Sequence, residues 1–131
     1  MIAYKYAKAR HIRLGRRGES IAAAYLRACG IEILLRNYRY KRGEIDIVAR
    51  DGGIICFIEV KTRWRTTRSR PAEGLSEFQK KRISQTALAY LCAIGNPKVV
   101  YRFDLIEIVV DIWDVRELRY WRSHFSGGRI I

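Results

Sequence analysis

The clearest pattern in the chain is a pair of alternating segments on either side of a short turn. Apolar and polar side chains alternate in residues 44–50 and again in residues 54–62, and Asp51-Gly52-Gly53 separates the two segments. Alternation with a period of two is typical of β-strands, and a Gly-Gly turn favours a tight hairpin. The turn predicts a register with one wholly apolar face. This face pairs Ile45 with Val60, Ile47 with Ile58, and Ala49 with Cys56.

The other face of the predicted hairpin carries charge. The same register sets Asp46 opposite Glu59 and Glu44 opposite Lys61. Two like charges at about 5 Å between Cβ atoms destabilise a sheet, and a bound cation removes the repulsion. Carboxylate oxygens are the ligands that Mg²⁺ prefers, and Lys61 lies on the same face, two residues after Glu59. The pattern alone also fits a solvated, solvent-facing hairpin.

The remaining patterns predict two helices and further strands. The first helix covers Gly18 to Cys29, and Gly30 follows it as a stop signal. The second begins after Ser76 and runs to about Ile94, with Ile83, Ala87, Tyr90, Leu91 and Ile94 on its apolar face. Strands are predicted at 31–38 and 98–110, a basic loop at 63–75, and residues 111–125 are ambiguous.

These elements predict one α/β domain with a mixed central sheet flanked by helices. We place a basic N-terminal arm at residues 1–14, the domain at 15–121 and a flexible C-terminal tail at 122–131. The arm contains Lys5, Lys8, Arg10 and Arg13 and has no acidic residue. It fits either a solvated terminus or an arm that follows phosphates.

Charge narrows the class of partner. The chain has 26 basic and 13 acidic residues, a net charge of +13 and a pI of about 10.2. This excess predicts binding to a polyanion, of which nucleic acid is the commonest in the cytosol. No apolar run approaches the roughly 20 residues of a membrane helix, and no secretory signal precedes the domain. We therefore expect a cytoplasmic protein that does not bind membranes.

Several motifs together resemble a known family. An acid on one strand followed by Glu-x-Lys on the next is similar to the pattern of PD-(D/E)xK nucleases. The wider set resembles the YraN family of bacterial proteins, whose predicted fold is similar to that of archaeal Holliday-junction resolvases. That set comprises Gly15-Arg16-Arg17-Gly18-Glu19, Arg36-Asn37-Tyr38-Arg39, residues 43–50 and residues 57–63. The resemblance implies a restriction-endonuclease-like α/β fold.

The resemblance also implies roles for individual residues. Asp46 and Glu59 match the metal-binding acids, and Lys61 matches the catalytic lysine. Glu19 resembles an additional acid near the metal, although an acid also suits a helix N-terminus. Gln79 fits a glutamine beside the site in some relatives, but a capping box with Ser76 is the favoured interpretation. Glu44 is interpreted as an ion-pair partner of Lys61, and Asp104 as a structural hydrogen-bond acceptor.

The function predicted from these residues is metal-dependent hydrolysis of DNA, duplex or branched, in recombination or repair. The implied cofactor is Mg²⁺, with Mn²⁺ as an alternative, and symmetric cutting of two strands would suit a homodimer. The alternatives are a non-catalytic nucleic-acid-binding module that acts with a partner and, less favoured, an RNA-associated basic protein. The predicted nucleic-acid contacts are Arg16, Arg17, Arg63, Trp64, Arg65, Arg68, Arg70 and Lys80.

Overall fold

Two helices and five strands make up most of the part of the chain that the structure describes. The structure is a computed structural model. It describes residues 2–65, 75–95, 98–111 and 114–126, with the backbone alone for residues 2–13. In chain order the elements are α1 (Ile2–Ala28), β1 (Glu32–Tyr40), β2 (Gly43–Asp51), β3 (Ile54–Trp64), α2 (Glu77–Ala93), β4 (Val100–Val110) and β5 (Val115–Phe125).

The strands form a single mixed sheet in the order β1-β2-β3-β4-β5. β3 and β4 are parallel, whereas the other neighbouring pairs are antiparallel. A parallel pair needs a long crossover connection, and α2 lies in the one between β3 and β4. The predicted α/β class with a mixed central sheet and flanking helices is confirmed.

Each face of the sheet is covered by one helix. On one face Leu14, Ala22 and Leu26 of α1 pack against Ile58 and Ile106 in what we call the first cluster. On the other, the second cluster joins the buried side of α2 to the sheet through Ile83, Ala87, Tyr90, Leu91, Phe57, Phe103 and Leu105. Because β4 is buried on both faces over much of its length, most of its residues are apolar, and Arg102, Asp104 and Glu107 are its charged residues.

The hairpin of β2 and β3 has the predicted register over most of its length. The ladder runs from Asp51–Ile54 to Ile47–Ile58 and includes the predicted Ala49–Cys56 pair. Gly52 adopts a φ of 60° in the turn, which favours glycine.

The predicted register fails beyond Ile47. Ile45 belongs to the second cluster and Ile47 to the first, so the alternation of β2 breaks at Asp46. The predicted pairs of Asp46 with Glu59 and of Glu44 with Lys61 are therefore not part of the ladder. On the neighbouring strand, Asn37 lies between the partners of Ile47 and Ile45 and has a φ of 56°. Both strands thus depart from regular geometry at the same level.

Three predicted element boundaries differ from the structure. α1 begins at Ile2 instead of Gly18, because the alanines and basic residues of the predicted arm are good helix formers. β5 continues to Phe125, through residues assigned to the tail, and Trp121 and Phe125 pack against the second cluster. Likewise, β3 extends to Trp64, so Arg63 and Trp64 are strand residues and not part of a loop.

The second helix begins as predicted. Ser76 Oγ accepts from the Gln79 N–H at 3.1 Å, and Gln79 Oε1 accepts from the Ser76 N–H at 2.9 Å. This capping box confirms the favoured interpretation of Gln79. Ile94, predicted on the apolar face, is instead exposed at the C-cap.

A buried acid fixes the last two strands to each other. Asp104 accepts hydrogen bonds from Arg102 Nε at 3.0 and 3.1 Å, from the Tyr120 hydroxyl at 2.5 Å and from the Ser123 N–H at 2.9 Å. These contacts confirm Asp104 as a structural acceptor. Neither α1 nor α2, over the residues described, is long and apolar enough to cross a membrane.

Candidate metal centre

The centre of the candidate site is Asp46, at the point where β2 and β3 stop pairing. The Val60 N–H donates to Asp46 Oδ2 at 2.8 Å, so a side chain takes the place of the next backbone partner in the ladder. This bond holds the carboxylate against β3. The end of the ladder thus positions an acid between two strands of the sheet.

Glu59 and Lys61 reach the same region from β3. Lys61 Nζ lies 3.4 Å from Glu59 Oε1, and less than one fifth of each side chain is exposed. Glu59 is also hydrogen-bonded to Asp46. The contact between Asp46 and Glu59 that the hairpin pattern predicted therefore exists, although the two residues are not ladder partners.

Glu19 enters the site from α1. The helix passes very close to β3 at Gly18, where a Cβ atom would lie 1.8 Å from Thr62 Oγ1. Only glycine allows this approach, which places the next residue, Glu19, beside the sheet. Arg36 Nη2 lies 3.9 Å from Glu19 Oε2 and partly balances its charge.

Asn37 connects the acid of α1 to an acid of β2. Its Nδ2 donates to Glu19 Oε1 at 3.2 Å, to Glu19 Oε2 at 3.1 Å and to Glu44 Oε1 at 3.0 Å. Asparagine tolerates a positive φ better than most residues, and here that backbone conformation directs the amide at both carboxylates.

Glu44 was assigned the wrong partner by the sequence. Its carboxylate lies 3.5 Å from Arg39 Nε and accepts from Asn37, whereas Lys61 pairs with Glu59. The predicted Glu44–Lys61 pair assumed that the ladder continued past Ile47. Asn37 is thus a site residue to which the sequence analysis gave no role, and Glu44 was interpreted as the partner of Lys61 and not as one of the clustered acids. The available signal was Arg36-Asn37-Tyr38-Arg39 in the family motif, with an asparagine suited to positive φ.

Burial and repulsion act on the two acids that touch each other. Burial, followed by the charge of Glu59, raises the pKa of Asp46 to about 9, and the hydrogen bond from Val60 opposes the rise. The pKa of Glu59 is also raised, mainly by burial, and Lys61 opposes that shift. Without a cation the pair therefore holds a proton at neutral pH.

The acids fit a hard divalent cation. Glu19, Glu44 and Asp46 each offer a carboxylate oxygen, and these oxygens lie within 4.8 Å of one another. Oxygens on opposite sides of Mg²⁺ are about 4 Å apart, so small side-chain movements would bring all three to one ion. Asp46 belongs to this group of three acids and also contacts Glu59.

The predicted nucleic-acid contacts lie in different environments. Arg16, Arg17 and Arg65 are exposed, and Arg17 Nη1 donates to the Asp111 carbonyl at 3.5 Å. Trp64 is half-buried and packs against the first cluster, so its ring mainly contacts the core. Lys80 is paired with Glu77 at 3.3 Å. Arg63 is half-buried, and Arg68 and Arg70 lie outside the described residues.

The fold and the site together define an α/β protein with a cluster of acids, Glu19, Glu44 and Asp46, that could hold a metal ion. The chain belongs to the family described as "Uncharacterised protein family UPF0102", whose model matches residues 18–108. This is the YraN family under another designation, so the resemblance found in the sequence motifs is confirmed.

Named relatives match over most of their length. A UPF0102 protein of Chlorobaculum parvum is 45% identical over 119 residues, which cover 90% of this chain and 92% of the relative. A UPF0102 protein of Clostridium botulinum is 44% identical, over 75% of this chain and 80% of the relative.

Among solved structures, the chain is similar to Hjc, a Holliday junction resolvase of Archaeoglobus fulgidus. The TM-score is 0.45 at 17% identity, over 83% of this chain and 77% of that one. Proteins this different in sequence can share a fold and differ in function.

Proposed function

We propose that the protein is a metal-dependent nuclease that hydrolyses phosphodiester bonds of DNA. One observation carries the proposal: Asp46 lies within reach of Glu19 and Glu44 and contacts Glu59, which pairs with Lys61, in a protein with a net charge of +13. Acids in contact with one another are costly in a metal-free protein, and they are suited to hold a cation that in turn binds phosphate.

The acids would hold the metal, Mg²⁺ or Mn²⁺. Asp46 would be the central ligand, with Glu19 and Glu44 within reach of the same ion, and Glu59, which contacts Asp46, would join them from β3. When bound, the ion lowers the pKa of a coordinated water and neutralises charge on the phosphoryl oxygens.

Lys61 is the residue that would act on the substrate. Its ammonium group is held beside Glu59, in a partly buried position where water screens charge less than at the surface. From there it can orient a water molecule and stabilise negative charge on the phosphate during attack. Glu59 would therefore have two roles, as a metal ligand and as the group that positions Lys61.

The surface around the acids supports binding of the DNA backbone. Arg16 and Arg17 precede the close contact of α1 with β3, and Arg65 follows it on β3. Exposed guanidinium groups bind phosphates without reading sequence. We propose that they guide the backbone to the acidic centre, in the cytoplasm and as part of recombination or repair.

Substrate shape and assembly form a further part of the proposal. The nuclease-type motifs make branched DNA the first substrate to test. Two copies related by a two-fold axis would cut two strands symmetrically. Light scattering of the purified protein, with and without a four-way junction, tests the dimer.

Cleavage of labelled linear, flap and four-way-junction DNA with Mg²⁺ or Mn²⁺ tests the activity. We expect metal-dependent cutting that Asp46→Asn and Lys61→Met abolish. Glu32→Gln is the matched control, since Glu32 pairs with Arg50 on the surface of the sheet away from the acids. If both site variants cut as well as the parent, the mechanism is wrong. Binding without cutting would instead assign the protein to the class of non-catalytic nucleic-acid-binding modules.

A further inference from the structure

A groove separate from the acidic centre runs between the turn of β1 and β2 and the outer surface of α2. Its volume is about 1150 Å³. This exceeds the roughly 300–1,000 Å³ typical of pockets for small molecules, so an extended ligand fits it better. We call it the aromatic groove and define it by Tyr40, Arg42, Phe78, Lys81 and Arg82.

Two aromatic rings of the groove are open to solvent. Phe78 is 65% exposed and Tyr40 is 42% exposed. Large apolar side chains that are this exposed are not stabilised by burial, and a cluster of them on one surface indicates a binding site. The arrangement is suited to a ligand with flat faces.

Each ring is accompanied by a cation. The Arg82 guanidinium lies 4.6 Å from the centroid of Phe78, and Lys41 Nζ lies 5.4 Å from that of Tyr40. Arg42 and Lys81 add two further positive charges, and among the described residues that line the groove none is acidic. Alternating rings and cations match a ligand of alternating bases and phosphates.

The groove and the acidic centre lie at the same end of β2, the groove on the side of the sheet that α2 covers and the acids on the side of α1. Gly43 lines the groove, and the next residue, Glu44, shares a hydrogen-bond partner with Glu19. β2 and α2 are very close here, since a Cβ atom on Gly43 would lie 2.0 Å from Thr86 Oγ1.

We propose that the aromatic groove binds single-stranded DNA. Bases inside a duplex are stacked on one another and cannot stack on Phe78 or Tyr40, whereas unpaired bases can. The groove would hold an unpaired arm of the substrate while the acidic centre acts on another segment of it. The role in cleavage rests on the proposed function, but the binding itself needs no metal.

The test measures binding apart from cleavage. Fluorescence anisotropy of a labelled oligo(dT) of about 16 nucleotides, a length within known site sizes, is recorded in EDTA with Asp46→Asn protein. Adding Phe78→Ala should weaken binding by about tenfold, because removing one base–aromatic stack has an effect of this order. Binding of a duplex of equal length should change by less than about twofold.

The cations are tested by salt dependence. The double change Arg42→Gln with Lys81→Gln should lower the log–log salt slope for oligo(dT) by about 1.4, because each phosphate neutralised on a single strand contributes about 0.7. The matched control is Arg27→Gln with Lys98→Gln, which removes two exposed charges elsewhere and should leave the slope unchanged.

Specific outcomes would overturn the assignment. Equal weakening of duplex and oligo(dT), or an equal effect of the control pair, would show that the groove does not select single strands. Tighter binding of oligo(U) would assign it to RNA. If Phe78→Ala dissociated a dimer and left oligo(dT) binding intact, the groove would be an interface between copies of this chain. If the parent protein bound oligo(dT) in the groove but cleaved no DNA, the proposed function would be contradicted and the assignment of the groove would stand.

Discussion

At the scale of single residues, Asn37 is the residue that joins two acids of the candidate site. One amide nitrogen donates to two oxygens of Glu19 and one of Glu44, which would otherwise repel each other. A residue that orients metal ligands in this way commonly changes metal affinity by about 10–100-fold when removed. Its positive φ is a separate contribution, because most other residues would be strained there.

Two substitutions of Asn37 separate these contributions. Asn37→Gly keeps the backbone conformation and removes the amide, so we expect Mn²⁺ affinity to fall about tenfold with little change in stability. Asn37→Ala should lower the affinity equally and, in addition, reduce the unfolding free energy by about 1–2 kcal/mol. Calorimetric Mn²⁺ titration and chemical denaturation measure the two effects. Mn²⁺ binding by the glycine variant as tight as that of the parent would exclude the positioning role.

The second residue-scale prediction concerns the proton held by Asp46. Its pKa is about 9 in the folded protein and 3.8 in the reference state, so the folded state binds more protons between these values. The contribution of Asp46 to the free energy of unfolding should therefore be largest below about pH 4 and should fall as the pH rises towards 9. Asp46→Asn, which remains neutral, should remove this fall and stabilise the metal-free protein at pH 8, by up to about 1.4 kcal/mol for each pH unit above the reference pKa.

The measurement is urea denaturation in EDTA across this pH range, with Glu32→Gln as the control for a surface acid. Metal binding should show the opposite trend to stability, since ions bind the ionised form. Mn²⁺ affinity should rise with pH, and binding should release protons. Identical pH profiles for the parent and Asp46→Asn would contradict the assignment of the raised pKa.

At the scale of elements, the contact of α1 with β3 positions Glu19. Gly18→Ala would place a Cβ atom 1.8 Å from Thr62 Oγ1, and α1 would have to move away from the sheet. We expect the unfolding free energy to fall by about 1–3 kcal/mol, typical of overpacking, and Mn²⁺ binding to weaken because Glu19 moves with the helix. Thermal denaturation and Mn²⁺ titration measure both.

Gly15→Ala is the control for this prediction. Gly15 lies in the same helix, and a Cβ atom there would meet nothing within 4 Å. Alanine is the better helix former by about 1 kcal/mol, so this variant should be as stable as the parent or more so. Equal behaviour of the two variants would show that the close approach at Gly18 does not position the site.

Elements that depend on local signals could be predicted from the sequence. The Gly52-Gly53 turn determined the register from Asp51–Ile54 to Ile47–Ile58, and Ser76 with Gln79 marked the start of α2. The break at Asp46 could not be predicted, because it depends on Asn37 of β1 and on the different clusters that bury Ile45 and Ile47. Asp46 and Glu59 still come into contact, because the hydrogen bond from the Val60 N–H holds the Asp46 carboxylate against β3.

The sequence analysis did not predict the start of α1 or the full length of β5. The first half of α1 is strongly basic and has no acid in its first turn, so no capping or charge signal marked its start. In β5, exposed and half-buried positions do not alternate regularly, and its aromatic residues are buried only through contacts with other strands and clusters. β5 thus depends on tertiary packing that a local pattern does not contain, whereas the start of α1 was missed because helix propensity without a cap does not mark where a helix begins.

At the scale of the whole molecule, the charge is divided between a basic surface and an acidic centre. In the proposed function, the excess of basic residues would attract DNA, whereas the acids at Asp46 would repel phosphate until a cation is bound. Attraction by the surface needs no metal and weakens with salt, while positioning at the centre needs metal. Binding and cleavage should therefore respond to different conditions.

The last prediction uses this division. Arg16→Gln with Arg65→Gln removes two exposed charges that flank the contact of α1 with β3. For duplex DNA in EDTA, the log–log slope of affinity against salt should become shallower by about 1.8, because each phosphate neutralised on a duplex contributes about 0.9. Mn²⁺ affinity without DNA should stay the same, because neither side chain contacts the acids. Arg27→Gln with Lys98→Gln removes equal charge at a distance and should leave the slope nearly unchanged. If both pairs reduced the slope equally, DNA would be attracted by net charge alone, and the arginines beside the acids would have no part in guiding it there.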